Sequence, residues 1–438
     1  MKGRLLLTLF ACSYLWVYAA TASESLQEEI GPVPVDIVAT DSGYQLLRGG
    51  EPYRVRGAGV DGADIVGLAA QGGNSIRTWS VDAPGRDTQA LLDQAHSLGM
   101  TVSLCLNIAR ERHGFDYDDP AAVAKQREAA KEAVLKYRNH PALLTWIIGN
   151  ELNYDYQNPA VYDAVDEIAR MIKKLDPNHP TTTTTAGISQ TLLNDIQSRA
   201  PNLDFLSVQL YGDLVNLPKY IREYGYTGPY FVTEWGAIGH WEMPQTQWGA
   251  PVEQTSSQKA DNYLKGYREV IEPYPDQLLG DYVFLWGQKQ ERTPTWYGMF
   301  TPDGAETEVV DVMHYIWRGT WPENRSPRLK RLTLNAQQVM SHVNLTPGKT
   351  YTAKVSVKDP DGDPLRYVWS VKAESRARQH GGDFEANIAD IPGLISGDGP
   401  RIKVSAPERA GAYRLFVYVY DGQGHAAHAN FPFRVKPK

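Results

Sequence analysis

Two acidic residues stand out by the runs that precede them. In TWIIGNELN, residues 145–153, the sheet-forming side chains Trp146, Ile147 and Ile148 lead through Gly149 to Asn150, Glu151 and Asn153. In PYFVTEWG, residues 229–236, a second apolar run ends in Glu234 and Trp235. A strand that stops in a carboxylate leaves charge at the edge of an interior, which costs free energy unless the charge is paired. Two such carboxylates across one cleft could break a glycosidic bond: one protonates the departing oxygen, and the other attacks the anomeric carbon or activates water. An isolated Glu behind a strand is more often a rim or helix-start residue. Two of them, each behind an apolar run, favour the chemical reading.

Such a pair needs a scaffold that brings residues far apart in sequence to one face. From Tyr53 onward, strand-like runs alternate with helical patterns: 55–60, 74–79, 101–108, LLTWIIG, 181–185, 205–212, 229–236 and 279–287. Eight such units predict an α/β fold, a (β/α)8 TIM barrel. The near-continuous hydrophobicity of the runs suits a parallel sheet covered by helices. An open doubly wound sheet is the competing layout, but GAGVDGADIVG lacks dinucleotide-type glycine spacing. In the barrel, polar residues at strand ends converge: Arg77, Asn107, Asn150, Glu151, Gln209, Tyr211, Glu234, Trp235, Trp286 and Gln288, with Trp296 just beyond. Arg77 is expected beside the nucleophilic carboxylate, Tyr211 as a hydrogen-bond donor to it, and the three Trp as flat faces for sugar rings. His240, Glu242 and the segment HGFDYDDP, 113–120, are expected on the loops above.

The rest of the chain divides around this barrel. Residues 1–22 read as a signal peptide, with an apolar run and Ala20-Thr21-Ala22 as cleavage pattern, and predict a secreted or periplasmic protein without stable membrane insertion. A retained anchor is the alternative. Residues 23–52 form a leader and short hairpin, 53–320 the barrel, 321–328 a polar linker, and 329–438 a C-terminal all-β immunoglobulin-like sandwich, expected to be dispensable for the chemical step. In it, Asp359, Asp361 and Asp363 of DPDGD make a turn, with a calcium cluster as the alternative.

Composition narrows the classes further. Of the two cysteines only Cys105 follows residue 22, which leaves no internal disulfide and no cysteine-based metal site. The net charge of −7 has no basic stripe to recruit nucleic acid. The 11 Trp, 25 Tyr and 10 Phe suffice for a large core and for rings along a groove.

The segments HPALLTWIIGNELN, QLYG, PYFVTEWGAIGHWE and DYVFLWGQKQERTPTWYGMF resemble the catalytic barrels of glycoside hydrolase family 2 and its clan, over about residues 45–320. The β-rich segment after the barrel resembles PKD or cadherin-like modules. The resemblance implies retaining hydrolysis of β-glycosides in an oligo- or polysaccharide, with Glu151 as acid/base, Glu234 as nucleophile, and no metal or organic cofactor. A transglycosylase using the same carboxylates and a non-catalytic carbohydrate-binding protein remain the alternatives. Contact with glycan or a surface through the C-terminal domain is a further option. Family 2 enzymes carry β domains before the barrel, whereas here the β domain follows it.

Overall fold

The computed structural model describes residues 31–377 and 381–437. The leader assigned as a signal peptide therefore lies outside the described residues. Among the described residues no helix is long and apolar enough to cross a membrane.

The described chain opens with a small antiparallel sheet of β1 (Val35–Ala39), β2 (Tyr44–Arg48) and β3 (Glu51–Pro52). Its apolar face floors the larger fold: Val35 and Leu46 pack with Val55, Leu144, Phe205, Phe231 and Leu279, each at or just before the start of a later strand.

Eight parallel strands then close into a barrel. They are β4 (Val55–Val60), β5 (Ser75–Arg77), β6 (Thr101–Leu106), β7 (Leu143–Asn150), β8 (Thr181–Ala186), β9 (Leu206–Gln209), β10 (Tyr230–Gly236) and β11 (Leu278–Trp286). The connecting helices are α1 (Ile65–Gln71), α2 (Thr88–Ser97), α3 (Pro120–Tyr137), α4 (Ala160–Leu175), α5 (Gln190–Arg199), α6 (Leu217–Glu223) and α7 (Ser256–Gly266), and α8 (Glu308–Arg318) completes the outer layer. Five of these eight helices start where a side chain satisfies their free N–H groups. Asp64, Asp87, Asp119 and Ser189 accept from first-turn amides, and Thr255 forms a capping box with Gln258. The short α5 is marked in the sequence by its cap Ser189 and the apolar residues Leu192, Leu193 and Ile196.

Parallel strands buried on both faces account for the near-continuous apolar runs, and every residue of β7 is buried. Pairing becomes irregular near the strand ends that carry the acids. β7 slips against β8 between Ile147 and Asn150, where Gly149 has φ +79°. β10 slips against both neighbours after Val232. Such bulges re-aim side chains that strict alternation would send elsewhere.

The C-terminal β-rich region comprises β12 (Arg328–Leu334), β13 (Asn344–Leu345), β14 (Thr350–Lys358), β15 (Arg366–Ala373), β16 (Ile395–Ser396), β17 (Arg401–Ser405), β18 (Gly411–Tyr420) and β19 (Ala426–Val435). Two four-stranded sheets, β12-β14-β17-β16 and β13-β19-β18-β15, share one apolar core that includes Leu334, Val355, Val404, Leu415, Phe431 and Phe433. In the DPDGD turn, Asp359 Oδ1 accepts from the amides of Asp361, Gly362 and Asp363. Carboxylate oxygens of Asp359, Asp363 and Asp421 lie within 4.8 Å of one another, whereas Asp361 accepts from Arg325 N.

This region is bonded to the barrel rather than tethered beside it. Glu253, after β10, accepts from Lys259 Nζ at 2.6 Å and Thr295 Oγ1 at 2.9 Å, and also from Asn430 of β19. Arg414 of β18, 1% exposed, donates to Asn430 at 2.7 Å and to the Pro251 carbonyl at 2.9 Å. Burial alone would raise Glu253, but Lys259 and its hydrogen bonds overcome that and hold the carboxyl down at about 2. The segment expected as a polar linker is packed too: Ser326 is buried and donates to Asp311 of α8 through its amide at 2.7 Å.

Candidate active site

At the C-terminal ends of the barrel strands lies a cavity of about 1020 Å³ that contains both acids. Glu234 is 5% exposed and fully engaged. Its Oε1 accepts from Arg77 Nη1 and from Trp79 Nε1, both at 2.7 Å, and its Oε2 accepts from Tyr211 OH at 2.6 Å. Arg77 and Glu234 thus form a buried ion pair, with two further neutral donors fixing the carboxylate in place. Arg77 has no exposure, lies 4.9 Å from the Trp79 ring centroid, and donates through Nη2 to Asn150 Oδ1 at 2.6 Å. The same Oδ1 accepts from Gln209 Nε2 at 2.9 Å and Thr184 Oγ1 at 3.1 Å. Asn150 is thereby oriented by three donors, and its own amide N–H groups remain to meet a hydroxyl.

Glu151 lies in a different electrostatic setting. It follows the Gly149 bulge with a left-handed φ of +52°, and its amide is held by Thr184 Oγ1 and the Thr184 carbonyl, both at 3.1 Å. A Cβ at Gly149 would fall 2.8 Å from Leu152, so the turn has no room for a side chain there. A left-handed non-glycine residue at such a place is strain held by its surroundings. Glu151 is half-buried and opens onto the cavity. Burial first, and the negative charge of Glu234 second, push it well above the usual carboxylate range against the pull of Arg110, Arg77 and Arg112. Tyr211 is also pushed up, by burial and by both acids, and so keeps its proton as a donor.

The structure brings Arg77, Asn150, Glu151, Gln209, Tyr211, Glu234 and Gln288 together at or beside this cavity. Gln288 donates to the Pro294 carbonyl at 2.7 Å. Four residues from the strand-end reading are elsewhere. Trp235, Trp286 and Trp296, expected as sugar platforms, are 0–1% exposed, with Nε1 on Asp281 Oδ1, the Asp64 carbonyl and the Ile238 carbonyl respectively. The reason for Trp235 is alternation: the residue after an inward Glu234 points outward, against Tyr263 of α7 at 5.4 Å. Trp286 packs on Phe300 and Trp317 in the helix layer. Asn107 is exposed and braces the loop after β5, accepting from Val81 N at 3.0 Å and donating to Val81 O at 2.7 Å.

The loops expected above the site act largely as supports. Glu242 accepts the amides of Gly212, Asp213 and Gly239, each at 2.8 Å, and so ties two barrel loops together. His240 faces Glu291 at 3.4 Å. In HGFDYDDP, Tyr117 and Asp119 serve the loop and the start of α3. Strand-end collection passes over Trp79, Arg110, Arg112, Tyr154, Trp241 and Tyr297, all of which line the cavity. Trp79 was legible, since it sits two residues after Arg77 and shares its side of an extended chain. The lining also includes residues 381–385 of the C-terminal region, which no pattern within the barrel could announce.

Residues 89–272 match the family model described as "Glycosyl hydrolases family 2, TIM barrel domain". The chain is 34% identical over 94 residues to a probable mannan endo-1,4-beta-mannosidase C of Aspergillus terreus, a match that covers 18% of this chain and 23% of that protein. Among solved structures, β-glucuronidase 2 of Bacteroides uniformis is similar over 92% of this chain and 48% of its own, with 16% identity and a TM-score of 0.52. A family 2 β-galacturonidase from Eisenbergiella tayi is similar over 66% of this chain and 54% of its own, with 18% identity and a TM-score of 0.50. The chain thus spans about half the length of these solved structures and less than a quarter of the mannosidase. The eight-stranded unit is accordingly a glycoside hydrolase family 2-like TIM-barrel domain, related at the level of the superfamily.

Proposed function

We propose that the protein is a glycoside hydrolase that cleaves β-glycosidic bonds of an oligo- or polysaccharide with retention of configuration. One observation carries the reading: two carboxylates share one cavity in opposite settings, Glu234 met by three donors and Glu151 pushed toward its protonated form. In the first step Glu234 attacks the anomeric carbon as the bond to the leaving oxygen breaks, and Glu151 gives that oxygen its proton. Esterification of Glu234 removes the negative charge that raised Glu151, which lowers the affinity of Glu151 for a proton. In the second step the Glu151 carboxylate takes a proton from water, the water oxygen bonds to the anomeric carbon, and Glu234 leaves. Arg77, Trp79 and Tyr211 hold the nucleophile in line, and the amide of Asn150 is placed for a sugar hydroxyl. The family match and the barrel fold support this class of chemistry.

Trapping with 2-deoxy-2-fluoro-β-glycosyl fluorides, followed by peptide mass spectrometry, tests the assignment. The label is expected on Glu234. For the Glu151→Ala protein, azide should restore turnover of substrates with good leaving groups and yield the β-glycosyl azide. An α-configured first product from the unaltered protein, read by NMR before mutarotation, would overturn retention.

A further inference from the structure

Two turns of the C-terminal region gather negative charge at one point. Asp359 and Asp363 belong to the DPDGD turn between β14 and β15, and Asp421 opens the turn between β18 and β19. One carboxylate oxygen from each lies within 4.8 Å of the others. The donors that meet Asp359 and Asp421 are neutral. Asp359 Oδ1 accepts from the amides of Asp361, Gly362 and Asp363, and Asp421 accepts from the amides of Gln423 and His425 and from Asn324 Nδ2. Three like charges this close repel one another unless a cation stands between them.

Asp359 supplies a second, separate observation. Its three amide donors, at 2.8–3.0 Å, fill Oδ1 and fix the carboxyl in one orientation. Its Oδ2 is buried, in a residue only 9% exposed, and meets no hydrogen-bond donor among the described residues. A buried carboxylate oxygen without a donor costs free energy, because the water it has lost is not replaced. With Oδ1 taken, Oδ2 is the oxygen left to the cluster. Asp421 is buried as well, and its donors set its carboxyl in advance. Asp361 turns away: its Oδ2 accepts from Arg325 N at 2.7 Å, so the converging set is not the three acids of the DPDGD motif.

We propose that Asp359, Asp363 and Asp421 bind one calcium ion, which ties the two C-terminal sheets to each other and to the barrel. The donors are all hard oxygens, the ligands that calcium takes. Oxygens on opposite sides of an ion held at about 2.4 Å stand about 4.8 Å apart, whereas magnesium, at about 2.1 Å, draws them to about 4.2 Å. Asp363 is half-buried, which gives water access to the remaining positions. The ion joins β14 of one sheet to β18 of the other. The same turns hold the barrel: Asn324 Nδ2 donates to Asp421 at 2.8 Å, and Glu306, ahead of α8, donates its amide to the Gly424 carbonyl at 3.0 Å and accepts from Ala426 N at 2.7 Å. The inference is independent of the hydrolase reading.

The test uses the full chain, treated with EDTA and dialysed into calcium-free buffer. Calorimetric titration with CaCl2 should show one ion bound per chain, and saturating calcium should raise Tm by several degrees. Asp363→Asn should weaken calcium binding roughly ten-fold or more and lose most of that Tm gain. In EDTA the same variant should melt at or above the parent, because one of three repelling charges has gone, and this reading separates a lost ligand from a damaged fold. Asp361→Asn, which keeps an oxygen for Arg325 N, should bind calcium within about three-fold of the parent. Absence of both binding heat and Tm change at about 10 mM calcium overturns the proposal. Equal calcium affinity in the parent and Asp363→Asn places the ion elsewhere and overturns it too. An Asp363→Asn protein that melts below the parent in EDTA gives Asp363 a purely structural role, with the same consequence. A Tm gain from MgCl2 as large as that from CaCl2 overturns the choice of ion.

Discussion

If Glu234 raises Glu151 electrostatically, removing its charge must bring Glu151 down. Glu234→Gln is the perturbation of choice, because a glutamine oxygen can still accept from Arg77 and Trp79 and its amide can face Tyr211. The magnitude follows from the spacing that retaining chemistry requires. Two unit charges about 5 to 5.5 Å apart, at an effective dielectric constant of about 20, repel by about 3 kcal/mol, or about 2 pH units. Arg77, no longer neutralised, pulls Glu151 in the same direction. Burial, the larger cause, persists in the variant, so Glu151 should come to rest between its raised position and the ordinary carboxylate range. Titration by NMR of ¹³Cδ-labelled glutamate, with the Glu151 signal assigned from Glu151→Gln, reads the shift directly. A Glu151 titration that moves by less than about half a unit would mean that the two acids do not feel each other. The shared site would then fail together with the mechanism built on it.

Other expectations follow from the same contacts. Tyr211→Phe removes the 2.6 Å hydrogen bond to Glu234, so kcat should fall roughly 10²-fold with little change in KM; steady-state kinetics showing wild-type kcat would reduce Tyr211 to packing. Glu151 has a folded-state pKa above its unfolded one, so its contribution to stability is full below the unfolded pKa and is lost as pH rises through the raised value. Glu151→Gln should therefore gain Tm over the parent with rising pH, and a constant Tm difference across that window would contradict the assignment. Lys259→Met leaves Glu253 buried without its cation and should cost about 3–5 kcal/mol in urea unfolding, with Glu253→Gln recovering part of the loss.

What the sequence disclosed and what it hid have separate physical causes. The barrel was legible because strands buried on both faces are written as continuous apolar runs, and the eight of them fall within a few residues of the observed strands. The two acids were legible because they interrupt such runs. The Trp residues were misplaced because position at a strand end does not say which way a side chain points. Alternation sends Trp235 outward the moment Glu234 faces in, and the same rule identifies Trp79 as the partner of Arg77. The cross-region contacts lay beyond any local pattern. Glu253 and Asn430, or Arg112 and Asp383, are joined only by the fold, and nothing in either segment's periodicity names the other.

Those long-range contacts change how the C-terminal region should be understood. A composition break at residues 321–328 reads as a linker between independent units, yet a buried Lys–Glu pair on the barrel is completed by Asn430. A carboxylate as deeply buried as Glu253 persists as an ion only while its donors surround it, and stripping away β18 and β19 would take Asn430 and Arg414 with them. The strands that seal this ion pair belong to the same C-terminal sheets whose residues 381–385 join the lining of the cavity. Anchoring of the region and lining of the cavity are thus two ends of one structural unit, so removing β18 and β19 would disturb the cavity wall as well as the ion pair.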